Sequence, residues 1–170
     1  MTFKTAEDIL NPDSRFADLC VFENGVPRQI TIEDHHRALA TIGLSGDVPI
    51  EVVTAFDRAR NTALYAFFDY DLFVVSELQV VGAFELALKH RFIRQGRAVR
   101  GTLRTLINSA RKEGILPAQA VYSAALSDPI EALLLIRNEL SHGTSDTHSP
   151  GMALEVLAAC AWWIDHIFPA

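Results

Sequence analysis

Arg137, Asn138, Ser141 and His142 are the residues of this chain whose types and spacing could do chemistry. They close the run Asp128-Pro-Ile-Glu-Ala-Leu-Leu-Leu-Ile-Arg-Asn-Glu-Leu-Ser-His-Gly143. On a helix advancing about 100° per residue they fall within an arc of roughly 140°. A cation, an amide, a hydroxyl and an imidazole then share one face, directly after the apolar residues Leu133 to Ile136. Cleaving RNA without a metal asks for such groups. A base near neutral pKa takes the 2′-hydroxyl proton, an acid protonates the leaving oxygen, and a fixed cation steadies charge on the phosphate. His142 could serve as base or acid. Arg137 could clamp the non-bridging oxygens bidentately, and Asn138 could orient the substrate or the imidazole. One face carries one histidine, so acid and base together require a second copy across a two-fold axis. The competing reading is structural: Arg137 pairs with a buried acid such as Glu85, and His142 caps carbonyls at the helix C-terminus.

The elements that must position this face are legible in outline. Asp128 can cap the helix, Pro129 suits its first position, Glu131 completes a capping box, and Gly143 is a left-handed stop. Before it, apolar residues at three- and four-residue steps predict a first long helix from about residue 50 to 69. A second follows from about 72 to 94, apolar nearly all round and therefore central. Glu85 stands alone in its apolar middle and must find a partner or protonate. Leu103 to Lys112 reads as a third helix and Pro117 to Leu126 as a short fourth. A last helix over 152–168 follows the polar loop 143–151. Residues 1–48 read as an N-terminal extension: a hairpin of Arg15–Phe22 and Val26–Ile32 about Asn24-Gly25, then a short helix over Glu33–Ile42. His35 and His36 on that helix are adjacent, point to different faces, and read as surface histidines. Residues 49–170 read as the helical domain.

Composition bounds the function. The chain has 170 residues, 49% of them hydrophobic, enough for one folded domain with a sizeable core. No apolar run approaches the ~20 residues of a membrane span, and the first residues lack a signal-peptide pattern. These point to the cytoplasm, with Cys20 and Cys160 as buried free thiols. No spacing fits a metal site, a phosphate-binding loop or a nucleophile elbow, so no metal or cofactor is expected. Net charge is −6, yet Lys89, Arg91, Arg94, Arg97, Arg100, Arg104, Arg111 and Lys112 follow one another with no Asp or Glu between them. Such a run is a candidate phosphate-backbone surface, in which Lys89 to Arg104 would contact RNA; a solvated helix end and loop reads equally well.

Arg137-Asn138-Glu139-Leu140-Ser141-His142 resembles the Arg-x4–6-His motif of HEPN domains, in the form where Asn follows the Arg. The paired helices of prokaryotic members are similar to residues 59–70 and 77–91, and the resemblance covers about residues 50–168. It implies an all-α, up-and-down HEPN-like bundle, here carrying the small N-terminal hairpin and short helix in addition. It also implies a homodimer that brings two motif helices face to face. In active members it implies metal-independent endoribonuclease action leaving a 2′,3′-cyclic phosphate. Carried over, Arg137 and His142 form the catalytic pair with Asn138 beside them. Glu85 loosely matches an acid that some members keep near the site, and Ser141 lies on the same face. The substrate would be single-stranded RNA or tRNA. Many relatives are toxins, often with a minimal nucleotidyltransferase as antitoxin, or act in anti-phage defence. Others have lost catalysis and only bind nucleotides, RNA or a protein partner.

Overall fold

The computed structural model describes residues 3–98, 100–119, 128–143 and 146–169. Among them the chain is mainly helical, with six helices and one antiparallel two-stranded sheet. The helices are α1 (Ile32–Ala40), α2 (Ile50–Tyr65), α3 (Leu72–Arg94), α4 (Leu103–Lys112), α5 (Pro129–Ser141) and α6 (Pro150–Ile167); the strands are β1 (Cys20–Glu23) and β2 (Val26–Gln29). None of these helices is long and apolar enough to cross a membrane. The short helix predicted over Pro117 to Leu126 falls mostly outside the described residues.

The bundle is built around α3. Phe73, Val80, Phe84, Ala87 and Leu88 are fully buried, and Val81, Ala83 and Phe92 nearly so. These residues point in several directions around the helix axis, so one partner cannot cover them. α2, α4, α5 and α6 all pack on α3. Burying each large side chain stabilises the fold by about 1.5–3 kcal/mol relative to exposure. α6 answers with Ala153, Leu157, Cys160 and Ile164, all fully buried at three- and four-residue steps.

The predicted second and third helices have the expected bounds. The first ends sooner, at Tyr65, although no Gly or Pro interrupts it. Phe67 and Tyr70 turn inward there, and Asp13 holds the turn. Its amide donates to the Phe67 carbonyl (2.9 Å) and its carboxylate accepts from the Tyr70 amide (3.1 Å). Burial opposes charge on Asp13, but hydrogen bonds from Arg15 and Tyr70 outweigh it and hold the carboxyl at about 2.

The N-terminal extension shares the bundle's core. The hairpin turn lies at Asn24-Gly25, both with positive φ (52° and 82°), as a two-residue turn requires. The strands are shorter than expected, because Ser14–Phe16 forms a 3-10 turn that drives Phe16 inward. Phe16 meets the rings of His35, Phe67, Tyr70 and Phe73. α1 is capped by Thr31, with Asp34 closing the capping box. The linker to α2 is fastened to α6: the Asp165 carboxylate accepts from the Ser45 amide, the Ser45 hydroxyl and the Gly46 amide. A Cβ on Gly46 would overlap the Phe168 carbonyl, so this close approach requires glycine.

Two sequence readings are corrected here. His35 is not a surface histidine; it is 1% exposed and its Nε2–H donates to the Ala63 carbonyl at 2.8 Å. His36 is exposed, as expected. Cys20 is not buried, because it lies on an exposed strand, whereas Cys160 is buried and its thiol is pushed up by desolvation.

Burial pushes the His35 imidazole below its ordinary 6.5, with the Ala63 hydrogen bond opposing more weakly. The unfolded chain therefore takes up a proton near 6.5 that the folded chain resists. The stability held above that pH is lost as pH falls below it. Thermal unfolding of the protein and of His35→Gln between about pH 8 and about pH 5 checks this. The advantage of the native protein over the variant should shrink as pH falls, and parallel curves would contradict it.

Candidate functional site

The polar edge of α5 is placed by the helix's first turn. The Asp128 carboxylate accepts from the Ile130 amide (3.0 Å) and the Glu131 amide (3.3 Å), with Pro129 at the first position. The expected capping box from Glu131 is not formed. Its side chain turns to α4 instead, where Arg104 Nη1 donates to both carboxylate oxygens (2.8 and 2.6 Å). Arg111 Nη2 donates to both Asp128 oxygens (3.0 and 2.8 Å) and lies 3.4 Å from Glu131. The Arg111 side chain is 8% exposed. Two cations of the basic run are thus partners of Asp128 and Glu131.

Ile130, Leu133, Leu134 and Leu140 are buried and seat α5 in the bundle, whereas Leu135 is exposed and Ile136 half-buried. Beyond them Arg137, Asn138, Glu139, Ser141 and His142 are all exposed. Arg137 Nη1 donates to Asn138 Oδ1 (3.3 Å), and the Ser141 hydroxyl donates to the Arg137 carbonyl (2.6 Å). His142 is the C-cap residue, its amide donating to the carbonyls of Asn138 and Glu139. Gly143 follows with φ 78°, the left-handed stop expected of it.

The structural reading paired Arg137 with a buried acid such as Glu85. Glu85 pairs with Lys89 on its own helix (2.5 Å), and among the described residues no carboxylate lies within ion-pair distance of Arg137. Glu85 is half-buried, not isolated in the core. It lines a pocket of about 330 Å³ together with Thr102, Leu103, Arg104, Leu134, Arg137 and Asn138. α3, α4 and α5 therefore bring four of the expected residues, Glu85, Arg104, Arg137 and Asn138, to one cavity. Ser141 and His142 lie further along α5, outside its lining.

Four of the six expected RNA-contacting cations carry counter-charges. Besides Lys89 and Arg104, Arg94 lies 3.5 Å from Asp47 and Arg97 pairs with Glu113. Arg91 is half-buried and Arg100 exposed. The positive field of the run is offset by the flanking acids Glu85 and Glu113 and by Asp47, Asp128 and Glu131, which are distant in sequence.

One pair escaped the sequence reading. Glu77 is fully buried on α3, and His148, in the segment before α6, shares a 2.7 Å hydrogen bond with it through Nδ1. Burial pushes the Glu77 carboxyl up, and the contact with His148 opposes this. Its Oε2 is buried without a hydrogen-bond partner among the described residues. The signal was present: Glu77 continues the stripe of Phe73, Val80 and Phe84 at helical spacing. Among the described residues, no group of three or more His, Cys, Asp or Glu could hold a metal ion.

No family model matches the chain, and no curated protein and no solved structure matches it.

Arg111→Met should leave Asp128 without a cation and weaken the seat of α5. Removing one partner of a buried charge cluster costs about 3–5 kcal/mol, which urea denaturation would measure. A change well under about 1 kcal/mol, the range of exposed pairs, would contradict this role.

Proposed function

We propose that this protein is a metal-independent endoribonuclease of the HEPN type, with a fold of that type. The observation that supports this best is the exposed edge of α5, where Arg137 has no carboxylate partner among the described residues and stands beside Asn138, Ser141 and His142. Arg137 supplies the cation for the phosphate oxygens. His142 moves the proton of the 2′-hydroxyl or of the leaving oxygen, and Asn138 positions the groups around it. Each copy carries half of the acid–base requirement, so the working site is composite and the protein acts as a homodimer. Single-stranded RNA or tRNA is the substrate, and a toxin–antitoxin or anti-phage setting, in the cytoplasm, suits such an activity. A binding module that retains the pocket without cleaving is the second reading, favoured by the fact that His142 lies outside the pocket that Arg137 lines.

The test is cleavage of RNA in EDTA by the protein and by its His142→Ala and Arg137→Ala variants. Cleavage should leave 2′,3′-cyclic phosphate ends, and each variant should be slower by about 100-fold or more. Inert native protein, or unchanged variants, would sink the catalytic reading.

The composite site also predicts a mass of two protomers by light scattering at micromolar concentration. A monomer that still cleaves RNA would remove the need for a second copy.

A further inference from the structure

The pocket between α3, α4 and α5 has a chemistry of its own. At about 330 Å³ it is at the small end of the roughly 300–1,000 Å³ of ligand sites. That suits one planar heterocycle better than a whole nucleotide. The side chains of Leu103 and Leu134 supply apolar surface, and both are largely withdrawn from water. The polar groups are divided by type. Glu85 offers acceptors only, and Lys89 pairs with it at Oε1. Asn138 has its Oδ1 taken by Arg137, which leaves the amide nitrogen as a donor. Arg104 gives Nη1 to Glu131 and keeps further guanidinium donors.

We infer that this pocket is a guanine subsite and that Glu85 and Asn138 are its specificity-determining residues. The inference rests on the ribonuclease reading for its place in a reaction and on the pocket's chemistry for the base. Guanine presents two adjacent N–H donors, N1–H and the 2-amino group, which one carboxylate can accept. Its O6 and N7 are acceptors, which Asn138 and the arginines can meet. Adenine presents an unprotonated N1 to a carboxylate. Uracil offers one N–H between two carbonyls. Cytosine sets an amino group beside the acceptor N3. Each of these leaves a lone pair facing Glu85. Arg137 borders both the pocket and the α5 edge, so a base held here brings its ribose and phosphate towards Ser141 and His142.

The experiment is titration of the native protein with GMP, AMP, CMP and UMP, followed by calorimetry or NMR, with ribose 5-phosphate as the control for phosphate binding alone. GMP should bind about tenfold or more tighter than the others, the discrimination expected of one bidentate base contact. Glu85→Gln and Asn138→Asp should each erase that preference. Glu85 is half-buried and Asn138 exposed, and neither belongs to the buried core. Equal affinity for the four nucleotides, no binding of any, or a preference that survives both substitutions overturns the inference. Mapping of RNA cut sites separates the two readings. A GMP preference without RNA cleavage leaves the pocket standing and removes the ribonuclease. Cleavage with no guanosine bias beside the cut does the reverse.

Discussion

Everything at the α5 edge depends on one buried cation. Arg111 is held between Asp128 and Glu131, and it fixes where α5 begins and which way it runs from α4. The cluster is costly to desolvate, and it returns that cost only while all its members are present. It acts at the opposite end of α5 from Arg137 and His142. Rotating the first turn of a helix rotates its last, so the exposure of the polar edge is inherited from a contact about ten residues away. The buried Leu133, Leu134 and Leu140 and the exposed Leu135 select the same face of the helix as the charges do.

Periodicity was a reliable guide wherever a helix has one dominant buried face or is buried all round. α3 and α4 were legible for that reason, and α5 because Asp128, Pro129 and Gly143 mark both ends. What was not legible depends on contacts between residues far apart in sequence. His35 looks like any exposed histidine until Phe16, Phe67 and Phe73 close around it. Glu85 and Glu77 both interrupt an apolar helix, and only the packing of the segment before α6 decides which one is buried. The end of α2 at Tyr65 has no local signal, because its cause is Asp13.

The candidate site divides along the same line. Arg137, Asn138, Ser141 and His142 could be grouped from helical geometry alone, since they belong to one element. The pocket beside them could not, since Glu85, Arg104 and Leu134 come from three. The basic run shows the opposite error. Eight cations without an intervening acid suggested a strong positive surface, but Asp47, Glu113, Asp128 and Glu131 reach several of them through space. Charge counted along the chain overstates the field that a ligand meets.

The fastening of Ser45 and Gly46 to Asp165 has a consequence for the order of assembly. α6 is synthesised after the other described helices, yet it covers α3 and provides the carboxylate that docks the linker ahead of α2. A nascent chain that has emerged only as far as α5 therefore leaves the α6-facing side of α3 uncovered, and Ser45 and Gly46 lack their Asp165 acceptor. Such early-to-late contacts slow folding. The hairpin and α1 dock on α2 and α3 through Phe16 and His35, so the part of the extension that waits for α6 is the linker alone.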